Sequence, residues 1–325
     1  MIVIIASVRA AWKIIGGLFI CVFLQACAGT PQSDALLKTK SNPYLKPVEL
    51  SQVAFFPQEA YQCGPAALAT ILTEQGIDVR PQQLTDKIYI PQREGSLQIE
   101  IIRTVREFNL VPYIIKPDLG SLLAQVKAGR PVLVLQNLGV SWYPKWHYAV
   151  VIGYNLEDES LILRTGVIKR YAVDMHTFEY TWARAKYWGL LALRPDELPV
   201  NADSWEYLKA IVAFEQMQNW PVLNQAYQTA LHKWPNNRDL LMGYGTALYL
   251  QKQLSDAAHY YEMVLAESDY APAHNNLAQV FAEQGKFTQA RQHAEKAISI
   301  GGVHVQQYEA TLKEIDELQS KANQN

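Results

Sequence analysis

The distribution of apolar and polar residues divides this chain of 325 residues into three parts. A mostly apolar run covers residues 14–24, directly behind the basic residues Arg9 and Lys13. Residues 51–198 alternate between segments with helical spacing and short segments rich in β-branched and aromatic residues, whereas the residues beyond Pro199 keep the helical spacing alone. The pattern therefore predicts an export signal, a mixed domain and an all-helical domain.

The N-terminal run is too short for a transmembrane helix, which needs about 20 apolar residues, and it is typical of the apolar part of an export signal. Leu24 to Cys27 read LQAC, which resembles the bacterial lipobox, where the chain is cut before a cysteine that becomes lipid-modified. We therefore expect residues 1–26 to be a lipoprotein signal peptide and Cys27 to be its lipidation site. Residues 27–50 are polar and rich in proline, so we expect a tether there.

Export determines what the three cysteines can do. Cleavage would remove Cys21 and acylation would occupy Cys27, so Cys63 would remain as the only thiol and no internal disulfide could form. Ala28, at the second mature position, favours sorting to the outer membrane, with the body of the protein facing the periplasm. The lipid would then be the contact with the membrane.

Composition and spacing exclude several other classes of function. The net charge is −2 and no basic cluster occurs, so we expect no nucleic acid as a partner. The histidines and cysteines lack the spacing of a metal site, and the glycines do not form a phosphate-binding loop. We therefore expect neither a metal nor a cofactor.

Within residues 51–198 the helical segments come first and the strand segments follow. CGPAALATILTEQG predicts a helix that begins near Cys63 and ends at Gly76. Four later segments predict strands: PVLVLQNL, HYAVVIGYN, SLILRTG and IKRYAVDMHTFEYTW. Helices followed by antiparallel strands indicate an α+β class.

The residues from 200 to 325 resemble tetratricopeptide repeats with a period near 34 residues, against the alternative of a generic helical bundle. Small residues such as Gly245 and Ala257 would let the two helices of a unit approach, and large ones such as Leu248 and Tyr261 would fill the space between units. The predicted units and their boundaries are residues 204–237, 238–270 and 271–303, followed by a capping helix at 304–321. The groove of such a stack would bind a protein partner.

Cys63 is the candidate nucleophile. The N-terminus of a helix offers unpaired N–H groups, and we expect these to lower the pKa of the thiol. Gly64 would let a substrate approach the backbone. Gln58 could donate its amide to a developing oxyanion, and His147, at the mouth of a predicted strand, could serve as the base. Taken singly, a cysteine or a histidine in such a place is more often structural.

Together these residues form a pattern. Gln58, four intervening residues and Cys63-Gly64-Pro65, followed by HYAVVIGY at 147–154, resemble the C39 peptidase family over residues 51–198. The resemblance implies a papain-like fold with Cys63 as nucleophile, His147 as base and Gln58 in the oxyanion hole. It also implies a polypeptide substrate cut after small residues such as Gly-Gly.

One departure concerns the residue that orients the histidine. The family uses an aspartate on the next strand, but SLILRTG places Arg164 and Thr165 there. Thr165, Asn155 and Asp174 remain as candidates for the third member. Loss of the orienting acid lowers turnover about 10⁴-fold in Ser/His/Asp enzymes, although a Cys/His pair depends on it less.

Three functions follow from these observations. The first is a membrane-anchored cysteine peptidase whose repeats recruit its substrate or a partner. The second is a weak or inactive C39-like adaptor that binds partners through its repeats. The third is an amidase or transpeptidase that acts on cell-wall peptide.

Overall fold

The computed structural model describes residues 29–39, 42–58 and 62–324 of the chain. The predicted signal peptide, residues 1–26, and the predicted lipidation site, Cys27, lie outside these residues. In the part of the chain that is described, no helix combines the length and apolar character needed to cross a membrane.

The first domain is built on one antiparallel sheet. Its strands are β1 (Val48–Glu49), β4 (Val111–Ile114), β5 (Val132–Asn137), β6 (Trp146–Asn155), β7 (Ser160–Thr165), β8 (Ile168–Asp174) and β9 (Gly189–Leu193). Their order across the sheet is β4-β9-β5-β6-β7-β8, and β1 pairs with the C-terminal end of β6. The central strands β5 and β9 are buried along their whole length, because helices cover the sheet. Two short strands, β2 (Tyr89–Ile90) and β3 (Gly95–Ser96), form a separate hairpin.

Two groups of helices accompany this sheet. One group comprises α2 (Cys63–Glu74), α3 (Pro81–Ile88) and α4 (Gln98–Glu107), and the other comprises α1 (Pro31–Lys38), α5 (Leu119–Lys127) and α6 (Met175–Ala183). The α+β class predicted from the sequence is therefore correct. The predicted strand IKRYAVDMHTFEYTW is only half right, because Asp174 ends β8 and accepts a hydrogen bond from the Thr177 N–H at 2.8 Å, which begins α6.

The segment predicted as a tether, residues 27–50, contains a helix docked on the domain. The backbone N–H groups of Gln32 and Ser33, at the start of α1, donate to the Glu179 carboxylate at 3.1 and 2.6 Å. Glu179 is fully buried, and a buried carboxylate requires such donors. The described part of this segment is therefore packed against α6 rather than free.

The second domain is a stack of helices. Their bounds are α7 (Ser204–Ile211), α8 (Ala213–Gln216), α9 (Trp220–Lys233), α10 (Arg238–Leu250), α11 (Leu254–Glu267), α12 (Ala271–Glu283), α13 (Phe287–Ile300) and α14 (Val305–Ala322). A Cβ atom on Gly245 would lie 2.6 Å from the Tyr261 ring, so this small residue lets α10 and α11 approach, as the sequence predicts. The first repeat departs from the pattern, since its first helix is split into α7 and α8.

The two domains share one hydrophobic core. The rings of Tyr113 on β4 and Tyr207 on α7 lie 6.5 Å apart, and the Asp203 N–H donates to the Tyr113 hydroxyl at 3.2 Å. The side chain of Gln125 binds both backbone groups of Val200, at 2.8 and 3.2 Å. The first repeat is thus fixed on the β4 side of the sheet.

Candidate active site

Cys63 is the first residue of α2, which packs against β6. Its thiol is half-buried and faces the backbone N–H groups of Gly64 and Tyr148. Tyr148 follows His147 directly in β6, so this contact brings the predicted nucleophile to the backbone beside the predicted base.

The thiol of Cys63 does not have the lowered pKa expected at a helix N-terminus. Burial raises the pKa above its ordinary value of 9.0, and it outweighs the opposite effect of the N–H groups of Tyr148 and Gly64. The resting side chain is therefore a neutral thiol at pH 7.

His147 is held by a residue of the neighbouring strand. Its Nε2 atom lies 2.6 Å from Oγ1 of Thr165, at the end of β7. Burial lowers the pKa of the imidazole below 6.5, so the ring is neutral at pH 7. Within the described residues this is the only hydrogen bond of the ring, and none joins it to Cys63. The resting pair is thus a neutral thiol near a neutral imidazole, not an ion pair.

The three candidates for the third site residue lie in different places. Thr165 contacts His147, at the distance given above. Asn155 donates to the Asp158 carboxylate at 2.5 Å, and Asp174 caps α6. Asn155 pairs with Ser160, and Ser160 pairs with Asp174 on β8. Asn155 and Asp174 therefore lie at the end of the strands that is remote from the thiol. Of the three, the structure brings only Thr165 to His147.

Gln58 lies on the segment that precedes α2. Its backbone N–H donates to the carbonyl of Gly166 at 3.1 Å, in the turn between β7 and β8. Gln58, Cys63 and Thr165 line one narrow pocket, whose other walls are Phe55, Phe56, Ala66, Ala67, Thr70, Tyr148, Arg164 and Gly166. The turn therefore supports both the partner of the histidine and the predicted oxyanion residue.

Gly64 has a packing role that sequence reasoning missed. A Cβ atom at this position would lie 2.4 Å from Oγ of Ser96, so the hairpin β2–β3 fills the space that we expected a substrate to approach. The Tyr148 hydroxyl donates to the Ser96 carbonyl at 3.2 Å and holds the hairpin there. Nothing in the sequence points to Ser96, because it is remote in the chain and stands in no motif.

An exposed aromatic loop precedes His147. The carboxamide oxygen of Asn137 joins the two ends of this loop. It accepts hydrogen bonds from the N–H groups of Gly139 and Lys145, at 2.9 Å each. Trp142, at the tip, is 86% exposed, and Tyr143 and Trp146 are also exposed, so none of the three belongs to the core. The residues described by the structure contain no cluster of three metal-ligating side chains.

Comparison with known proteins gives a consistent assignment. Residues 50–189 match the model of the Peptidase_C39 like family, and residues 208–272 match a tetratricopeptide repeat model. The chain joins a C39-like peptidase domain to a tetratricopeptide-repeat region. No curated protein matches it.

Several solved structures are similar to one or other part. A C39-like peptidase from Bacillus anthracis is 18% identical, over 46% of this chain and 98% of that one, with a TM-score of 0.39. The peptidase domain of Streptococcus ComA is 19% identical, over 44% and 98%, with a TM-score of 0.37. The tetratricopeptide domain of Sgt2 from Aspergillus fumigatus is 20% identical, over 38% and 82%, with a TM-score of 0.34.

Proposed function

We propose that this protein is a cysteine peptidase that cleaves an exported polypeptide with Cys63 as nucleophile and His147 as base. The observation that carries the proposal is the meeting of α2 and β6 within a C39-like domain. There the Cys63 thiol contacts the backbone N–H of Tyr148, next to a histidine that Thr165 orients.

The neutral resting pair determines how the reaction begins. With Thr165 bound to Nε2, the Nδ1 atom of His147 is the nitrogen left to accept a proton. Nδ1 takes the thiol proton while the sulfur attacks the substrate carbonyl carbon, so proton transfer accompanies attack. The pair must approach more closely for this step, and hydrogen bonds of this kind often tighten only when substrate binds.

The later steps use the same groups. The carbonyl oxygen becomes an oxyanion, and the Gln58 amide and the Cys63 backbone N–H donate to it. Imidazolium at His147 gives its proton to the leaving amine as the peptide bond breaks. Water, activated by the neutral imidazole, then hydrolyses the thioester and regenerates the thiol.

We further propose that the protein is lipid-anchored through Cys27 to the outer membrane and faces the periplasm. The LQAC motif behind an apolar run supports this proposal. Labelling cells with a radioactive fatty acid tests it. Label in the wild-type chain, and none after Cys27→Ala substitution, is the expected result.

The peptidase proposal can be tested with a mixture of natural polypeptides in place of one chosen substrate. Mature protein and its Cys63→Ala variant are incubated separately with periplasmic extract from cells that lack the protein, and new peptide N-termini are identified by mass spectrometry. We expect termini that only the protein with Cys63 produces and that His147→Gln abolishes. Identical sets from wild type and Cys63→Ala would rule out the reaction. Cell-wall fragments in place of polypeptide termini would favour an amidase or transpeptidase.

The repeats are proposed to recruit the substrate or a partner protein. Trp205 and Leu250, on the first helices of two repeats, are exposed apolar residues, and such helices line the binding groove of a repeat stack. Substitution of both by serine is expected to weaken capture of the cleaved polypeptide by full-length Cys63→Ala protein. Ile300→Ser, on a second helix, is the control, because Ile300 is also exposed. Equal loss in both variants would contradict recruitment through this groove.

A further inference from the structure

Arg164 is a buried cation with an unusual set of partners. It is 5% exposed and forms four hydrogen bonds, all to backbone carbonyls. They run from Nε and Nη2 to Val53 at 3.2 and 3.0 Å, from Nη2 to Ser51 at 2.9 Å, and from Nη1 to Lys169 at 2.5 Å. Within residues 29–39, 42–58 and 62–324 it forms no salt bridge. A buried charge without a salt-bridge partner is unfavourable, so its position requires an explanation.

Two of the three carbonyls that Arg164 binds, those of Ser51 and Val53, belong to the segment that leads to Gln58, and the third, that of Lys169, lies on β8. Ser51 and Val53 lie at the start of this segment, and the Gln58 N–H binds the Gly166 carbonyl at its end. Both attachments are made to the hairpin of β7 and β8. The residue next to Arg164 is Thr165, which binds the ring of His147. One hairpin thus holds both the segment that carries Gln58 and the imidazole of His147.

We propose that Arg164 is a positioning residue that holds Gln58 where its side-chain amide can donate to the oxyanion. This inference rests on the proposed peptidase function. Methionine matches the length of arginine but provides none of the four donors, so Arg164→Met releases the segment. Oxyanion contacts stabilise the transition state more than the bound substrate. We therefore expect kcat to fall about 10- to 100-fold, while KM changes less than about threefold.

Arg170→Met is the matched control. Arg170 lies on the same hairpin, is exposed, and binds the carboxylate of Glu49 at 3.0 Å. Exposed ion pairs of this kind contribute little, so kcat and KM should stay within about twofold of wild type. Arg164→Lys restores the charge and part of the hydrogen bonding, and it should recover part of kcat.

A second measurement does not depend on turnover. Hydrogen exchange in the mature protein reports whether the backbone N–H of Gln58, which donates to the Gly166 carbonyl, loses protection. In Arg164→Met we expect this amide to exchange at least about tenfold faster, with the amides of β6 unchanged. If Arg164→Met does not fold, the comparison is made with Arg164→Lys, where a smaller acceleration confined to this segment is expected.

The outcomes separate this inference from the peptidase proposal. Wild-type kcat in Arg164→Met, or unchanged exchange at Gln58, overturns the role of Arg164. A general rise in exchange that includes β6 also overturns it, because Arg164 would then support the whole domain. If the wild-type protein cleaves nothing, the peptidase proposal fails, and faster exchange confined to residues 51–58 still supports the attachment of this segment by Arg164.

Discussion

The imidazole of His147 is held by the hydroxyl of Thr165, at 2.6 Å from Nε2. This hydroxyl lies in the segment where the resemblance to C39 peptidases leads us to expect a carboxylate. A hydroxyl can accept a hydrogen bond from Nε2–H and so keep Nδ1 unprotonated, but it carries no negative charge to stabilise an imidazolium. The contact therefore orients the base without raising its basicity.

Substitution of Thr165 tests this orienting role. Thr165→Val removes the hydroxyl at almost constant volume, and we expect kcat to fall about fivefold, since one hydrogen bond contributes about 1 kcal/mol. Thr165→Ser keeps the hydroxyl and should stay within about threefold of wild type. Thr165→Asp should raise the pKa of His147 and increase kcat, because it supplies the missing charge. Steady-state kinetics on the identified substrate decide the matter, and an unaffected valine variant would exclude the role.

The pH dependence of Cys63 alkylation tests the neutral resting pair. Because burial raises the pKa of the thiol above 9.0, the thiolate fraction should rise about tenfold for each pH unit between 6 and 8.5. The iodoacetamide rate should therefore increase over this whole range without a plateau. His147→Gln should leave the profile unchanged, since no hydrogen bond joins the ring to the thiol in the described residues. A plateau at neutral pH that disappears in His147→Gln would show a resting ion pair instead.

The parts of the site that local pattern can reveal were predicted from the sequence. Apolar spacing identified the helix at Cys63 and the strand at His147, and the period of 34 identified the repeats. Local pattern does not reveal that β8 ends at Asp174, because the residues after it are as apolar and aromatic as a strand. Only its capping hydrogen bond to Thr177 shows that the helix α6 begins there.

The parts that depend on distant residues could not be predicted. The choice among Thr165, Asn155 and Asp174 depends on strand register, and a register shift lies between Leu163 and Thr165. The pKa of Cys63 depends on how much of the protein covers the thiol, which no local pattern reports. Docking of the segment at Ser33 depends on Glu179, which is 146 residues away.

Glu179 makes that docking testable in the mature chain. Glu179→Ala removes the acceptor of two backbone N–H groups, and hydrogen bonds to a charged group contribute about 1.5–3 kcal/mol each. We expect the free energy of unfolding in urea to fall by about 3–6 kcal/mol, with early proteolysis within residues 31–38. Glu159→Ala, at an exposed turn, is a control for loss of charge and should change it little. Wild-type stability and protease resistance in Glu179→Ala would show that the segment is not held there.

Gly64 and Ser96 form a steric pair beside Cys63. The Cβ atom of Gly64→Ala would lie 2.4 Å from Oγ and 2.7 Å from Cβ of Ser96, so the hairpin β2–β3 must move. Alanine gains up to about 1 kcal/mol in helix propensity, whereas an overlap of this kind costs about 1–3 kcal/mol, so the overlap should prevail. We expect a net loss of stability of about 1 kcal/mol in urea unfolding, together with lower kcat because the hairpin is bound to Tyr148.

A double-mutant cycle separates the overlap from other effects of alanine at this position. Ser96→Gly removes both atoms that the new Cβ would meet, so Gly64→Ala should no longer destabilise the protein when it is combined with Ser96→Gly. The coupling free energy should be at least about 1 kcal/mol, which is in the range for residues in contact. Additive effects of the two substitutions would mean that glycine at position 64 does not serve the approach of the hairpin. It would then serve the access of a substrate to the backbone, as the sequence predicts.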